Sequence, residues 1–325
     1  MKIENDLKES ELKICVIIAT RNRPEMLSKL LESIVDNQVR PDLISIVSSG
    51  VEIESTIVKF KDKLKIEHIH TNKSGQVIQR NLALESIKEI YDAYSFLDDD
   101  VIVDQEFFTK IGLFITKSDD LFGGIGVNLE REANVLMKNS IVNRIGKCFN
   151  SNHFSGKVLR SGRGVKYIGN ESIKQVAWLN GLSIWTHPVI SNFKHVPMGN
   201  RYAAAEDLIF SYKVGKVYKL YYNPEIKVKD QNSGKTNPPN LDIYRTSWQH
   251  KLYFVLTNRE INFWLYILDN IFSLITLLIS IIRGNIKVKF NIIIYNVRFL
   301  YLILKNYRQY RDDTEHQIRL LQELL

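Results

Sequence analysis

The sequence predicts an α/β fold, built on a mainly parallel sheet with helices on both faces, followed by a C-terminal helical region. Three observations carry that expectation. Short β-branched runs alternate with stretches whose apolar residues recur at helical spacing, the pattern of strand–helix–strand units. Three aspartates, Asp98–Asp99–Asp100, stand directly after the apolar run YSFL. Open α/β sheets bind ligands beyond the carboxyl ends of their strands. After the linker-like stretch KDQNSGKTNPPN (229–240) the composition becomes apolar and basic by turns, which divides the chain into residues 1–240 and 241–325.

The elements follow in order. KICVIIAT (13–20) is a short β-branched run ending in a polar pair and predicts a buried strand. A turn at Arg21–Pro24 leads into a helix through about Asn37. Its apolar positions Leu27, Leu30, Leu31 and Ile34 share one face, and Pro24 suits the first turn of a helix. LISIVSS and KIEHIH predict the second and third strands, about Val77 to Tyr91 a helix, and YSFL a fourth, buried strand. From about 130 to 175 the chain is richer in Gly, Ser, Asn and basic residues, and SGKVLRSGRGVKYIGN predicts loops with a short hairpin. A helix around 205–215 and a strand near 217–222 complete this part.

The 325 residues suffice for one large α/β domain with an appendage, and 45% hydrophobic with 25% charged residues is ordinary for a folded protein. The net charge of +8 favours anionic partners such as phosphorylated donors or acidic lipid. No zinc-finger spacing, RNA-recognition signature or compact basic recognition helix occurs, so nucleic acid ranks last among them. MKIENDLKESEL lacks the apolar core of a signal peptide. Cys15 and Cys148 make no metal box, and a reducing cytoplasmic setting fits them better than a disulfide scaffold.

Two groups of residues carry the chemistry. Three adjacent carboxylates at a strand end repel one another, and a bound Mg²⁺ or Mn²⁺ bridging carboxylates to phosphates would compensate them. A solvated acidic loop is an equal alternative from spacing alone. Glu206 and Asp207 open a helix, where the helix dipole favours carboxylates, and that suffices as a structural reason for them. The histidines, at 68, 70, 153, 187, 195, 250 and 316, have no ligand spacing.

Over about residues 13–230 the sequence resembles the family 2 glycosyltransferases, whose fold is the Rossmann-like GT-A. ICVIIATRNRPEMLSKLLESI resembles the family's opening strand, turn and helix, and TNKSGQVIQRNLALESI its Gly-containing turn with an Arg-Asn pair. FLDDDVIVDQEFF resembles its Asp-x-Asp segment, and WLNGLSIWTHPVI its acceptor-side segment. AAAEDLIFSYKVGKVYKLYYNPEIKVKD resembles its Glu-Asp helix and following strand. Five motifs in the family's order are far more specific than any one.

The resemblance implies an enzyme that transfers a sugar from a nucleotide-sugar donor, with a divalent metal (Mg²⁺ or Mn²⁺), to a glycan or lipid-linked acceptor. It assigns Asp98 to the ribose, Asp100 to the metal on the diphosphate, and Asp99 to the donor site between them. Thr20, Arg21 and Arg80 fall near the nucleotide. Asp207 becomes the general base, with Glu206 its close second or a positioning residue, which fits inversion by direct displacement. Trp178, Asn180 and Gly181 fall on the acceptor side, with core packing an equal reading for Trp178. Two positions depart from the family pattern. Where members carry a base-binding Asp after the second strand, this chain has Val47–Ser48–Ser49–Gly50, so Ser48 is the substitute and a uracil base is less favoured. Where a His often closes the strand after the Glu-Asp helix, this chain has Asp230, itself a hard oxygen ligand.

INFWLYILDNIFSLITLLISII (261–282) is long enough to cross a bilayer, yet Asn262, Asp269, Ser273, Thr276 and Ser280 form a polar stripe at helical spacing. The next segment sets Asn291, Tyr295, Arg298 and Lys305 on one face, preceded by Lys287 and Lys289. Helices of this kind lie in a membrane interface or pack as a subdomain on the catalytic part or on a second copy. The expectation is peripheral contact at the inner face of the cell membrane, in surface polysaccharide biosynthesis. The rival functions are a catalytically weak binding or assembly subunit of the same fold and another α/β nucleotide-dependent transferase. ATRNRPEM, lacking a Gly-rich phosphate loop, disfavours the second rival.

Overall fold

The computed structural model describes residues 12–130, 155–167, 172–196, 204–231, 241–282 and 290–312. Strand β1 (Ile14–Arg21) is followed by α1 (Pro24–Val35), whose buried residues Leu27, Leu30, Leu31 and Ile34 are those the spacing picks out. Next come β2 (Leu43–Ser49), the single-turn α2 (Glu54–Ile57) with a 3₁₀ turn, and β3 (Ile66–His70). Helix α3 (Gln76–Ser86) leads to β4 (Ala93–Asp98) and β5 (Val101–Val103). Helix α3 stops short of the expected Tyr91, because Ile87 is extended and Tyr91 is buried at the foot of β4. The chain continues through α4 (Phe107–Thr116), β6 (Phe122–Glu130), β7 (Lys174–Val176), β8 (Ser183–Thr186) and α5 (His187–Asn192). It closes with α6 (Glu206–Gly215), β9 (Lys219–Asp230), α7 (Leu241–Thr257), α8 (Phe263–Ile282), α9 (Phe290–Lys305) and α10 (Tyr307–Asp312).

The strands form one sheet in the order β3-β2-β1-β4-β8-β6-β9-β5, with β7 added on β9. Strands β3, β2, β1 and β4 are parallel. Strand β8 runs antiparallel to both β4 and β6, while β6 and β9 are parallel. Helices α1 and α4 cover one face with Leu30, Ile34, Phe107 and Ile111, and α3, α5 and α6 cover the other with Ala83, Val189, Phe210 and Val214. The predicted α/β architecture is therefore present, with a mixed second half.

Strands β6 and β8 have no counterpart in the sequence reading; in β6 the glycines of FGGIGV weaken the strand signal. Tertiary packing requires those glycines. A Cβ on Gly124 would lie 2.6 Å from the Trp185 ring, and one on Gly123 would lie 2.5 Å from Tyr218 Cβ.

The expected hairpin in the middle segment is present among the described residues. Val158 and Gly164 form an antiparallel bridge, and Gly162 takes the left-handed conformation (φ +80°) that its turn needs. Cys148, His153, His316, Lys287 and Lys289 lie outside the described residues.

The C-terminal helices share a core with the α/β part. Trp178 and Leu208 pack with Trp248, Phe254, Tyr266 and Phe299. Arg163 of the hairpin grips the carboxylate of Asp269 on α8 through Nε (3.0 Å) and Nη2 (2.5 Å). The polar stripe read on α8 therefore turns toward protein at Asp269. Among the described residues, no helix is long and apolar enough to cross a membrane.

Candidate active site

Parallel strands β1 and β4 end side by side, Ala19 opposite Asp98, so residues just past both ends meet at one edge of the sheet. There Thr20, Arg21, Arg23, Gln76, Gln79 and Asp98–Asp100 line a cleft of about 500 Å³. The cleft is a consequence of parallel pairing: both chains must leave the sheet in the same direction, and their loops diverge.

Each aspartate of the triplet has its own partners. Asp98 Oδ1 accepts from Gln76 Nε2 (2.5 Å) and from Arg80 Nη2 (3.0 Å). Asp99 is buried, accepting the Thr20 hydroxyl (2.7 Å) and Arg23 Nη1 (3.0 Å). Asp100 takes the same Arg23 nitrogen at 3.2 Å. Burial pushes the Asp99 carboxyl above the usual range, against Thr20 and Arg23. Burial also raises Asp100, and the charges of Asp98, Asp99 and Asp230 add to it. Strand β9 brings Asp230 there by lying against β5 with Asp230 opposite Val101, and Gln231 N–H donates to the Asp100 carbonyl (2.9 Å).

This charge distribution tests whether a divalent metal fits. Among the described residues no three His, Cys, Asp or Glu side chains assemble into a cage. Mg²⁺ and Mn²⁺ do not need one, since they take one or two carboxylates and complete the shell with phosphate oxygens and water. An oxygen-only set with carboxylates that raise one another's proton affinity fits such a cation. Arg21 supplies a second sign of an anionic guest. Its Nε and Nη1 are enclosed at the cleft without a hydrogen-bond partner, an unusual state for a guanidinium.

Arg80 links this cleft to the Glu206–Asp207 pair. Its side chain is 1% exposed, stacks over the Phe96 ring (5.1 Å) and donates from Nη2 to the Gly181 carbonyl (3.1 Å). Nη1 lies 4.0 Å from Glu206 Oε1. Glu206 is buried at the start of α6, and that burial, with the neighbouring Asp207 charge, pushes its carboxyl up to about 7. Burial likewise raises Asp207, which accepts the Leu208 N–H (2.8 Å).

The structure thus gathers Thr20, Arg21 and Asp98–Asp100 at the cleft, with Asp230 beside them, and ties Gly181, Glu206 and Asp98 together through Arg80. It sets three expected residues apart. Ser48 is fully buried, and its hydroxyl lies between His68 Nε2 (2.8 Å) and His70 Nδ1 (3.1 Å) rather than on the cleft. Trp178 packs in the core with Leu208 and donates its indole N–H to the Val165 carbonyl (3.2 Å). Asn180 lies beside it on a separate, small recess with Lys166 and Tyr222. Sequence reasoning missed Arg23, Gln76 and Gln79. Gln79 holds the Thr20 and Val47 carbonyls at 2.9 and 2.8 Å, stitching β1 to β2 beneath the cleft. The spacing of Gln76, Gln79 and Arg80 on one helix face was the available signal.

Residues 15–157 match the model of glycosyl transferase family 2. Over that stretch the chain is similar to this family. Solved structures agree on the fold. TarS 1–349 from S. aureus aligns at TM-score 0.51 and 15% identity, over 76% of this chain and 66% of that one. The mannosyltransferase PcManGT from Pyrobaculum calidifontis, in complex with GDP-Man and Mn²⁺, aligns at 0.54 and 13% identity over 96% and 87% of the two chains. GalNAc-T7 with UDP, GalNAc and Mn²⁺ aligns at 0.54 and 14% identity, over 77% and 51%. The chain spans less than two thirds of TarS 1–349 and 40% of a longer TarS chain. No curated protein matches the sequence.

Proposed function

We propose that this glycosyltransferase is metal-dependent and inverting, and moves a sugar from a nucleotide donor to a glycan or lipid-linked acceptor in surface polysaccharide biosynthesis. The observation that carries the reading is the cleft that Arg21, with two enclosed guanidinium nitrogens lacking a hydrogen-bond partner, lines together with the carboxylates of Asp98, Asp99 and Asp100. A nucleoside diphosphate sugar and a divalent cation together would satisfy both. Complexes of fold relatives with UDP-GlcNAc, GDP-Man and Mn²⁺ support that class of ligand.

In this reading Asp100, with Asp98 or Asp230 as a second carboxylate, would hold the Mg²⁺ or Mn²⁺, which supplies a Lewis acid to the departing diphosphate. Arg21 pairs with phosphate oxygens, Asp98 accepts from the ribose, and Thr20 and Arg23 hold Asp99 still. Asp207 takes the proton of the acceptor hydroxyl as that oxygen attacks the anomeric carbon from the side opposite the diphosphate. Glu206, held by Arg80, positions the helix start and holds a proton near neutral pH. Gly181, whose carbonyl Arg80 holds, would line the acceptor approach. Contact with the inner face of the cell membrane would bring the site to a lipid-linked acceptor.

Asp207→Asn tests the mechanism. Nucleotide binding with Mn²⁺ should survive while turnover falls by roughly 10²–10⁴-fold, the contribution of a general base. Glu206→Gln crippled with Asp207→Asn active would exchange their roles. Unchanged turnover in both would remove the base from this helix.

A further inference from the structure

The side of α8 that points away from the protein is apolar along its length. Trp264, Leu268, Ile271, Ile275, Leu278 and Ile282 are all exposed, at steps of three and four residues that place them on one helix face. At ~1.5 Å per residue the stripe is about 27 Å long. The opposite side is occupied: Phe263, Tyr266, Ile267 and Asn270 are buried, and Asp269 is held by Arg163. Helix α9 repeats the arrangement. Tyr295, Phe299 and Ile303 face the core, while Ile294, Val297, Tyr301 and Leu304 are exposed. Arg298 and Lys305 are exposed beside them on that outward face. Just past α9, the Tyr307 ring at the start of α10 lies 5.8 Å from that of Trp264 on α8. Apolar surface this contiguous marks a docking face.

We propose that this α8–α9 face docks on an anionic membrane surface, lying in the plane of the headgroups. The charge pattern selects that occupant. From Phe263 to Gln309 the sequence holds Arg283, Lys287, Lys289, Arg298, Lys305 and Arg308 against one carboxylate, Asp269, which Arg163 neutralises. A second copy joined by two-fold symmetry would set the exposed Arg298 and Lys305 of this face against the same cations of its partner. An anionic leaflet instead neutralises the cations while its acyl boundary takes the apolar stripes. Trp264 (58% exposed) and Tyr301 (61%) have the amphipathic rings that settle at headgroup level. The Arg163–Asp269 pair and the shared core keep α8 attached to the catalytic part, so the helix lies on the bilayer rather than crossing it. The inference rests on the membrane contact proposed above and is independent of the transfer chemistry.

Flotation of the full chain with phosphatidylcholine vesicles, with and without phosphatidylglycerol, tests it. The protein should float with the anionic vesicles only and be released by high salt. Leu268→Glu with Ile275→Glu should abolish flotation. Arg298→Gln with Lys305→Gln should weaken partitioning by about fivefold for each cation removed, roughly 25-fold together. Circular dichroism checks the fold of each variant, and UDP and GDP titrations with Mn²⁺ report the donor site separately, so loss of one function is distinguishable from loss of the other. Equal flotation with both vesicle types, or with neither, would overturn the proposal. So would a dimer in sedimentation equilibrium that Ile275→Glu dissociates, since the face would then be a protein interface.

Discussion

Replacing Glu206 with glutamine should make the protein more stable at neutral pH, and the gain should vanish in acid. Glu206 is buried beside Asp207, and its carboxyl is raised from 4.5 to about 7 despite Arg80 at 4.0 Å. The folded chain therefore holds this proton more tightly than the unfolded chain does. Its stabilising effect is fully present below pH 4.5 and is lost as pH rises to about 7. At about 1.4 kcal/mol per unit, the ionised carboxylate costs the folded state about 3 kcal/mol above that range. Glutamine keeps the shape of the protonated acid and never ionises. Urea unfolding of both proteins across this pH range should give matching stabilities at the acid end and a difference that grows by up to about 3 kcal/mol at neutral pH. Parallel profiles, or a glutamine variant less stable at neutral pH, would refute the reasoning. Arg80 would then stabilise the carboxylate by more than burial costs it.

Three further outcomes follow from the geometry. Asp100→Asn should leave the unfolding temperature unchanged or higher, because it relieves repulsion from Asp98 and Asp230, while abolishing Mn²⁺-dependent nucleotide binding by calorimetry; full binding in excess EDTA would contradict this. Arg80→Leu should destabilise by roughly 1–3 kcal/mol in urea unfolding, since it strips Asp98 and the Gly181 carbonyl of a buried donor while Glu206, freed of that cation, keeps its proton. Gly124→Ala should cost about 1–3 kcal/mol, because its Cβ would meet both the Trp185 ring and the Ile184 carbonyl (2.9 Å), and neither β8 nor that ring can withdraw easily; a neutral result would mean the strand shifts freely.

Local signals in the chain specify much of this protein. The β-branched runs become β1, β2 and β4 because central parallel strands buried on both faces need continuous apolar residues, while β3 at the sheet edge is only half-buried. Leu27, Leu30, Leu31 and Ile34 determine both α1 and the face it buries. The Asp triplet is legible because a turn after a buried strand has one place to go, the edge of the sheet. The Glu-Asp pair is legible because it opens a helix.

Tertiary structure alone decides the rest. Strand β6, rich in glycine, looks like a turn until Trp185 and Tyr218 pack where its side chains would be. Arg23 reaches Asp99 and Asp100 across 76 and 77 residues, and Arg80 reaches Gly181 across 101, so no local spacing encodes those contacts. Ser48 stands at the strand end where a base-binding residue was expected, but His68 and His70 on β3 capture its hydroxyl. Helix α8 carries apolar residues almost all round, and sequence periodicity cannot say which side a neighbour covers. Arg163 decides it by pairing with Asp269: one side must turn toward the hairpin, and the apolar stripe opposite is left facing outward.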